Sequence, residues 1–280
     1  MMKPAPVPMV GQTTGYPHPP TFPSKRAPGR WFGIVYRIAV LLLLSILSMC
    51  PAMADNIRVV TEEFPPYDFT GESGEVEGMS TEVVREVLSE LNLDVHIDVL
   101  PWARAFKLAS TTPATMLFSV VRTPEREPIF HWVGVVCEVK SYLFRLKSRS
   151  DIQAGRLADL KQYSIGVVRD WAGQKYLEQQ GFDQLQKVSE SDANIRKLMN
   201  GRVDLIEDYE ANLIYRMKKL GFDPGSVEKV YFNADISGPL YAVFSKDTDQ
   251  DLAQQFKDAF SAVHLDGRYQ AIQRRWRSLN

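Results

Sequence analysis

The sequence predicts an α/β protein built as two lobes, and three observations carry that prediction. Apolar strand-type runs alternate with helix-type periodicity from residue 57 to 121. The same alternation restarts after a charged stretch, RLKSRSD, at 145–151. Setting residues 1–54 aside leaves 226 residues, the length of one large domain or of two lobes of about 100 residues each. The full chain of 280 residues is 45% hydrophobic and 24% charged, with 17 Gly, 17 Pro and two Cys. That composition excludes collagen-like, disulfide-scaffold and wholly disordered classes.

The first 54 residues stand apart. They hold prolines 4, 6, 8, 17, 19, 20, 23, 28 and 51, the basic residues Lys3, Lys25, Arg26, Arg30 and Arg37, and no Asp or Glu. Ile38 to Met49 form an apolar run, IAVLLLLSILSM, followed by Ala52-Met53-Ala54. A positive flank, a short apolar core and an A-x-A site predict a secretory signal over 1–54, cut between Ala54 and Asp55. The competing reading is a membrane anchor, but a spanning helix needs about 20 apolar residues. Extending the run backward would bury Arg37, which is costly at mid-membrane. Residues 1–30 exceed what a signal requires, so either they are a disordered leader or the start lies further downstream. Cys50 raises a lipoprotein reading, against which Met49 is bulky where a small residue normally precedes a lipidated Cys. Without 1–54 the body carries 28 basic and 34 acidic side chains, a net charge of −6 against −1 for the whole chain. Such a body is not built to hold a nucleic acid. It retains only Cys137, which rules out an internal disulfide and reads as a small buried hydrophobe.

Within the body, IRVVT (57–61) reads as a strand ending in the turn EEFPPYDF. Met79, Val83, Val84, Val87, Leu88 and Leu91 recur at helical spacing, with Ser80 placed to cap. Val95, Ile97 and Val99 alternate with His96 and Asp98 as a second strand, which puts His96 on the polar face. Trp102 to Ala109 reads as a helix and TMLFSVV (115–121) as an apolar strand. In the second block SIGVV (164–168) is a strand, and Trp171 to Gln180 a helix stopped by Gly181. Ser191 or Asp192 caps a helix carrying Ile195, Leu198 and Met199, which Gly201 ends. VDLIE (203–207) is a strand, a helix runs to Leu220, and strands come next near Val227–Phe232 and at PLYAVFS (239–245). Leu252, Phe256, Phe260 and Val263 mark a long last helix. Two such blocks, joined near 145–150 and again near 233–238, would face loops into a shared cleft, because open α/β sheets bind ligands at the carboxyl ends of their strands.

Four stretches give this pattern a resemblance. Phe64-Pro65-Pro66-Tyr67 after the first strand, Gly78-Met79-Ser80 at the first helix, Arg122-Thr123-Pro124-Glu125-Arg126-Glu127 after the strand at 115–121, and Gly267-Arg268-Tyr269 with Ile272 and Trp276 stand in register over 57–276. Together they resemble the periplasmic solute-binding proteins of family 3, which serve polar amino-acid transporters. The resemblance implies a two-lobed periplasmic-binding-protein fold of type II, with two crossing strands and hinge closure on a small ligand. It implies a discontinuous first lobe (55–144 plus 236–280), a second lobe at 145–235, and a periplasmic monomer. Its implied partners are a carboxylate-bearing ligand and an inner-membrane ABC transporter permease, with no cofactor and no metal.

Arg126 is the sharpest candidate residue. A guanidinium forks onto a carboxylate with two parallel bonds, most strongly in a closed, dry cleft, and in the resembled family this Arg holds the ligand α-carboxylate. The alternative is a surface pair with Glu125 or Glu127. Thr123-Pro124 would open a helix whose free N–H groups add to an anion site. Ser119 matches a family hydroxyl position, whereas Val121 replaces a Ser or Thr of many relatives. Trp102 and Tyr67 offer flat walls for an apolar or cationic ligand part, or else are core aromatics. Glu62, with Glu63 as its rival, stands where relatives place an acid facing the ligand. Arg104 is a second cation or a solvated one. In GVVRDWAGQ (166–174), Asp170-Trp171-Ala172 replaces the family's Gly-Thr-Thr, so hydroxyl contacts give way to a wall at Trp171. The acid that holds a ligand ammonium in the family aligns with Tyr209; Asp208 or Glu207 would substitute. These departures leave open a carboxylate solute other than an α-amino acid.

Two further classes stand beside a binding protein. An enzyme on the same scaffold, of the dehydratase kind found among relatives, would have to use carboxylates such as Glu62 or Asp208, whose pKa values leave no mark in sequence. The body offers only His96, His131 and His264, without HExxH or CxxC spacing. A ligand sensor acting in trans is the other class.

Overall fold

The computed structural model describes Met2 and residues 57–279, so the expected signal segment and its cleavage site lie outside the described residues. Residues 57–279 belong to one unit. An eight-stranded sheet runs through it in the order β4-β1-β5-β10-β6-β9-β7-β8. The strands are β1 (Arg58–Thr61), β4 (Ile97–Val99), β5 (Thr115–Val121), β6 (Phe130–Leu146), β7 (Ile165–Val168), β8 (Leu185–Val188), β9 (Leu205–Tyr209) and β10 (Val227–Ser245). The helices are α1 (Met79–Glu90), α2 (Trp102–Thr111), α3 (Ala172–Gln179), α4 (Ser191–Met199), α5 (Glu210–Lys219), α6 (Gln250–Leu265) and α7 (Arg268–Leu279). A small hairpin, β2 (Phe69–Thr70) with β3 (Val76–Glu77), caps the turn after β1.

β6 and β10 make the architecture. They are antiparallel partners over nearly their full lengths, 17 and 19 residues, and they cross from one lobe to the other. In the first lobe β1 pairs in parallel with β4 and β5, and the C-terminal half of β10 lies between β5 and β6. In the second lobe the C-terminal half of β6 pairs with β9, and β7 lies parallel to β8 and β9. The pairing of β10 with β6 shifts register between Asn233 and Gly238, opposite Ser141 and Val139. There Ser237 Oγ accepts from the Ser141 N–H at 2.9 Å and donates to the Asn233 carbonyl at 2.6 Å, while Gly238 sits at φ 120°.

Side chains alternate across a strand, and in the second lobe this alternation feeds two separate cores. Leu143, Ile165, Val167 and Leu205 pack with Leu177 and Phe182 on one face, while Phe144 and Ile206 pack with Ile195, Leu198, Leu213 and Met217 on the other. A sheet covered on both faces reads as continuous apolar runs, which is why VDLIE and SIGVV show no alternation. In the first lobe one cluster joins β1, β5 and the crossing strands to α1, α2 and α6, with Cys137 buried inside it.

Several local expectations need correction. Neither Ser80 nor Ser191 caps a helix. The N-cap of α1 is Gly78, and the carbonyls of Pro66 and Tyr67 accept the first N–H groups at 3.1 and 2.8 Å, so no side-chain cap is required. Gly78 holds φ 122°, and a Cβ there would collide with the Tyr67 carbonyl. The N-cap of α4 is Glu190, while Ser191 Oγ donates to Asp208. Thr123-Pro124 opens hydrogen-bonded turns over 124–129 rather than a helix. The strands expected near 227–232 and at 239–245 are one continuous β10.

Candidate functional site between the lobes

The residues expected to form the site approach it from both lobes. Glu62 comes directly after β1, Ser119 lies in β5, Arg126 lies within the turns that follow β5, and Trp102 is the first residue of α2. Across the cleft Trp171 is the N-cap of α3 and Tyr209 ends β9. With Phe64, Val121, Ala172 and Leu240 these side chains surround a space of about 20 Å³. That is room for about one water molecule and far too little for an amino acid. Aromatic rings fill the centre: Phe64 lies 5.6 Å from Trp171 and 5.2 Å from Tyr209, both edge-on.

Hydrogen bonds span the cleft. The Trp102 indole N–H donates to the Asp170 carbonyl at 2.8 Å, and Arg126 Nη2 donates to the same oxygen at 3.2 Å. The Trp171 indole N–H donates to Glu62 Oε2 at 2.8 Å, and Gln179 Nε2 to Glu125 Oε1 at 3.0 Å. Arg216 of α5 donates to the Glu63 carbonyl and pairs with Asp192 at 2.7 Å. Asp170 takes φ 62°, a left-handed conformation that Asp tolerates better than most residues. Its backbone N–H is held by Gln174 Oε1 at 2.6 Å.

Arg126 is 7% exposed. Nη1 donates to the Val121 carbonyl at 3.2 Å, and the guanidinium carbon lies 5.1 Å from the Trp102 ring and 5.2 Å from the Phe106 ring. Burial pushes its pKa below the ordinary arginine value, which favours an anionic partner at this position. The surface pair considered for it goes elsewhere: Glu127 pairs with Arg122 at 2.6 Å.

Carboxyls are buried in both lobes, and of these Glu62 borders the central space together with this cation. Glu62 is pushed up to about 8, first by burial and then by the charge of Asp68. Asp68 rises to about 7 through burial, even though Thr61 Oγ1 donates to it and Ser119 Oγ donates at 2.5 Å. Ser119 therefore lines the central space while its hydroxyl is turned onto Asp68. Glu207 rises to about 8 by burial and accepts from Ser141 Oγ at 2.7 Å.

Not every expected residue converges. Asp208 is enclosed: its oxygens accept from Ser191 Oγ, from the Tyr209 N–H at 2.7 Å and from Asn212 Nδ2 at 2.7 Å, a knot that ties β9 to α4 and α5. This satisfied geometry opposes the expectation that it faces a ligand. Tyr67 stacks behind Phe64 at 4.9 Å and borders an outer groove with Glu138 and Lys140, not the central space. Thr123 belongs to a second cavity of about 730 Å³ beside the central space, lined from both lobes and sharing Arg126 with it. Arg104 is exposed. Phe106 is a site residue that the sequence reading omits, although its i,i+4 spacing from Trp102 is a visible signal; the two rings lie 5.5 Å apart. Asp170 acts through its carbonyl, for which sequence holds no signal. Among the described residues no group of three His, Cys, Asp or Glu is placed to hold a metal ion.

Known proteins share this architecture. The sequence profile of bacterial extracellular solute-binding proteins, family 3, matches residues 57–278. The arginine-binding periplasmic protein of Mannheimia haemolytica is 24% identical over 241 residues, covering 84% of this chain and 97% of that protein. Amino-acid-binding protein AabA of Dichelobacter nodosus is 21% identical over 236 residues, covering 80% and 88%. Among solved structures, a histidine kinase sensor domain with similarity to periplasmic binding proteins superimposes at TM-score 0.71 and 18% identity, over 80% of this chain and 96% of that one. An ancestral arginine-binding protein bound to glutamine superimposes at 0.68 and 20%, over 79% and 96%. An ancestral amino-acid-binding protein described as a precursor of cyclohexadienyl dehydratase superimposes at 0.66 and 16%, over 79% and 94%. These superpositions establish the fold expected from the sequence, two α/β lobes joined by two crossing strands.

Proposed function

The chain belongs to family 3 of the bacterial extracellular solute-binding proteins, and on that basis we propose that it captures a small carboxylate-bearing solute in the periplasm. The solute is an amino acid or a chemical relative of one, held by closure of the lobes and delivered to an ABC transporter in the inner membrane. Residues 1–54 direct export and are removed. The first lobe comprises 55–144 and 236–280, and the second 145–235. The observation that carries the reading is Arg126, a buried guanidinium flanked by two aromatic faces in the cleft. In such a setting a bidentate carboxylate contact is strong and specific. Trp102 and Trp171 wall the site, Glu62 supplies a polar edge, and Thr123 borders the adjoining cavity. The names of the relatives, arginine-binding and amino-acid-binding, support the solute class.

The test is a thermal-shift screen of amino acids and related carboxylates. A ligand present at 100 times its dissociation constant stabilises by about 2.7 kcal/mol, and Arg126→Ala removes that shift. A variant that keeps the full shift refutes the role of Arg126. A second reading, an enzyme, has one observation in its favour: a carboxyl near 8 at Glu62 is a proton donor at neutral pH. Mass spectrometry of ligand recovered after prolonged incubation separates the two, since a receptor returns it unaltered.

A further inference from the structure

The cavity beside the central space has a chemistry of its own. It measures about 730 Å³, within the ~300–1,000 Å³ typical of small-molecule pockets. The central space holds about 20 Å³ and is closed by Trp171, Phe64 and Tyr209. Arg126 lines both. A carboxylate on its guanidinium therefore has room for the rest of its molecule on one side only. A free amino acid would fill a minor part of that room.

The lining is sorted by polarity. Phe106, Ile129, Ala172 and Ile236 give it an apolar wall. Lys175 is engaged by Asp170 at 3.1 Å, which leaves Arg126 as the buried cation among the lining residues. The remaining charges are two exposed carboxylates held by neutral donors. Glu125 accepts from Gln179 at 3.0 Å, and Asp235, on the crossing strand β10, accepts from the Tyr176 hydroxyl at 2.6 Å. A cation deep, an apolar wall between, and carboxylates at the exposed edge match a molecule with the reverse order of charges.

We propose that this side cavity, rather than the centre of the cleft, is the ligand site, and that its ligand is a zwitterion of di- or tripeptide size. The C-terminal carboxylate meets Arg126, an apolar side chain lies against Phe106 and Ile236, and the ammonium points to Glu125 and Asp235. The inference rests on the carboxylate reading of Arg126 and narrows it from a free amino acid to a short peptide.

The experiment offers the purified protein an equimolar mixture of the twenty amino acids with degenerate di- and tripeptide libraries, then washing, elution and mass spectrometry. Ala103→Trp fills the cavity from an exposed position on α2, and Gln180→Trp fills it from an exposed position on the opposite lobe, so loss of folding in one variant leaves the other. The expected result is retention of peptides at least tenfold over free amino acids, lost in the filled variants. In Asp235→Asn, peptides with a free ammonium lose their advantage over acetylated ones. Retention of free amino acids alone, unchanged by Ala103→Trp or Gln180→Trp, overturns the side cavity and leaves the carboxylate reading standing. Retention of no amino acid and no peptide overturns both.

Discussion

Glu62→Gln should stabilise the protein at neutral pH and leave it unchanged in acid. Glu62 is buried between the lobes, and its carboxyl is pushed from 4.5 to about 8, chiefly by burial. A carboxyl with a raised native pKa keeps its proton in the folded state while the unfolded chain releases it. The stability it contributes is therefore complete below pH 4.5 and is lost as pH rises toward 8. Each pH unit in that window costs about 1.4 kcal/mol, so at pH 7 the cost reaches roughly 3 kcal/mol. Glutamine copies the protonated acid in shape and still offers an oxygen to the Trp171 indole N–H, but it cannot ionise in the unfolded chain. The variant and the parent should melt together at pH 4. At pH 7 the variant should melt about 6–12 °C higher, since 1 kcal/mol moves the midpoint by about 2–4 °C at this size. Denaturation midpoints at half-unit pH steps read the difference directly. Parallel profiles from pH 4 to 8 would overturn the expectation, because they would mean that Glu62 is ionised in the native cleft.

Other perturbations act on the same contacts. Trp102→Phe keeps a ring over Arg126 but removes the N–H donated to the Asp170 carbonyl. With about 1 kcal/mol lost from the closed form, the closed-to-open ratio should fall roughly fivefold, read as a larger radius of gyration in solution scattering. Asp68→Ala strips the acceptor from the Thr61 and Ser119 hydroxyls and should lower unfolding free energy by about 2–4 kcal/mol in urea titrations, whereas Asp68→Asn, which keeps one acceptor, costs less. Gly78→Ala forces a side chain onto φ 122° against the Tyr67 carbonyl and should cost at least about 2 kcal/mol; an unchanged urea midpoint would contradict the close approach.

The fold is far more legible in the sequence than the site. The strand at 115–121 agrees with the structure to the residue, because a seven-residue run rich in apolar and β-branched residues between Pro113 and Arg122 is too short for a helix and reads as a buried strand. The helix ending before Gly181 is legible for a similar reason, since that glycine takes φ 76°. β6 is hidden because its two halves lie in different lobes, and no single period describes its burial. β10 reads as two strands because Asn233 to Gly238 has the composition of a loop and instead forms the irregular crossing. At the site, residue types are visible but their directions are not. Asp208 has the charge to meet a ligand, yet Ser191, Asn212 and the Tyr209 N–H enclose it. Thr123 sits one cavity away from its expected place. The carbonyl of Asp170, which receives both Trp102 and Arg126, depends on a backbone conformation that composition does not encode.

The strand order also governs when the first lobe can exist. Its sheet places β10, near the end of the chain, between β5 and β6, which lie more than 80 residues earlier. A nascent chain that has reached only Leu146 owns both neighbours of a strand that has not yet been made. Contacts that join distant segments form slowly, because the loop between them must first be closed. The first half of the body therefore waits unfinished until residues 238–245 arrive, and the lobe begun first is completed last. For the export proposed above, which threads a chain across a membrane in extended form, that delay would keep it loose for the length of the passage.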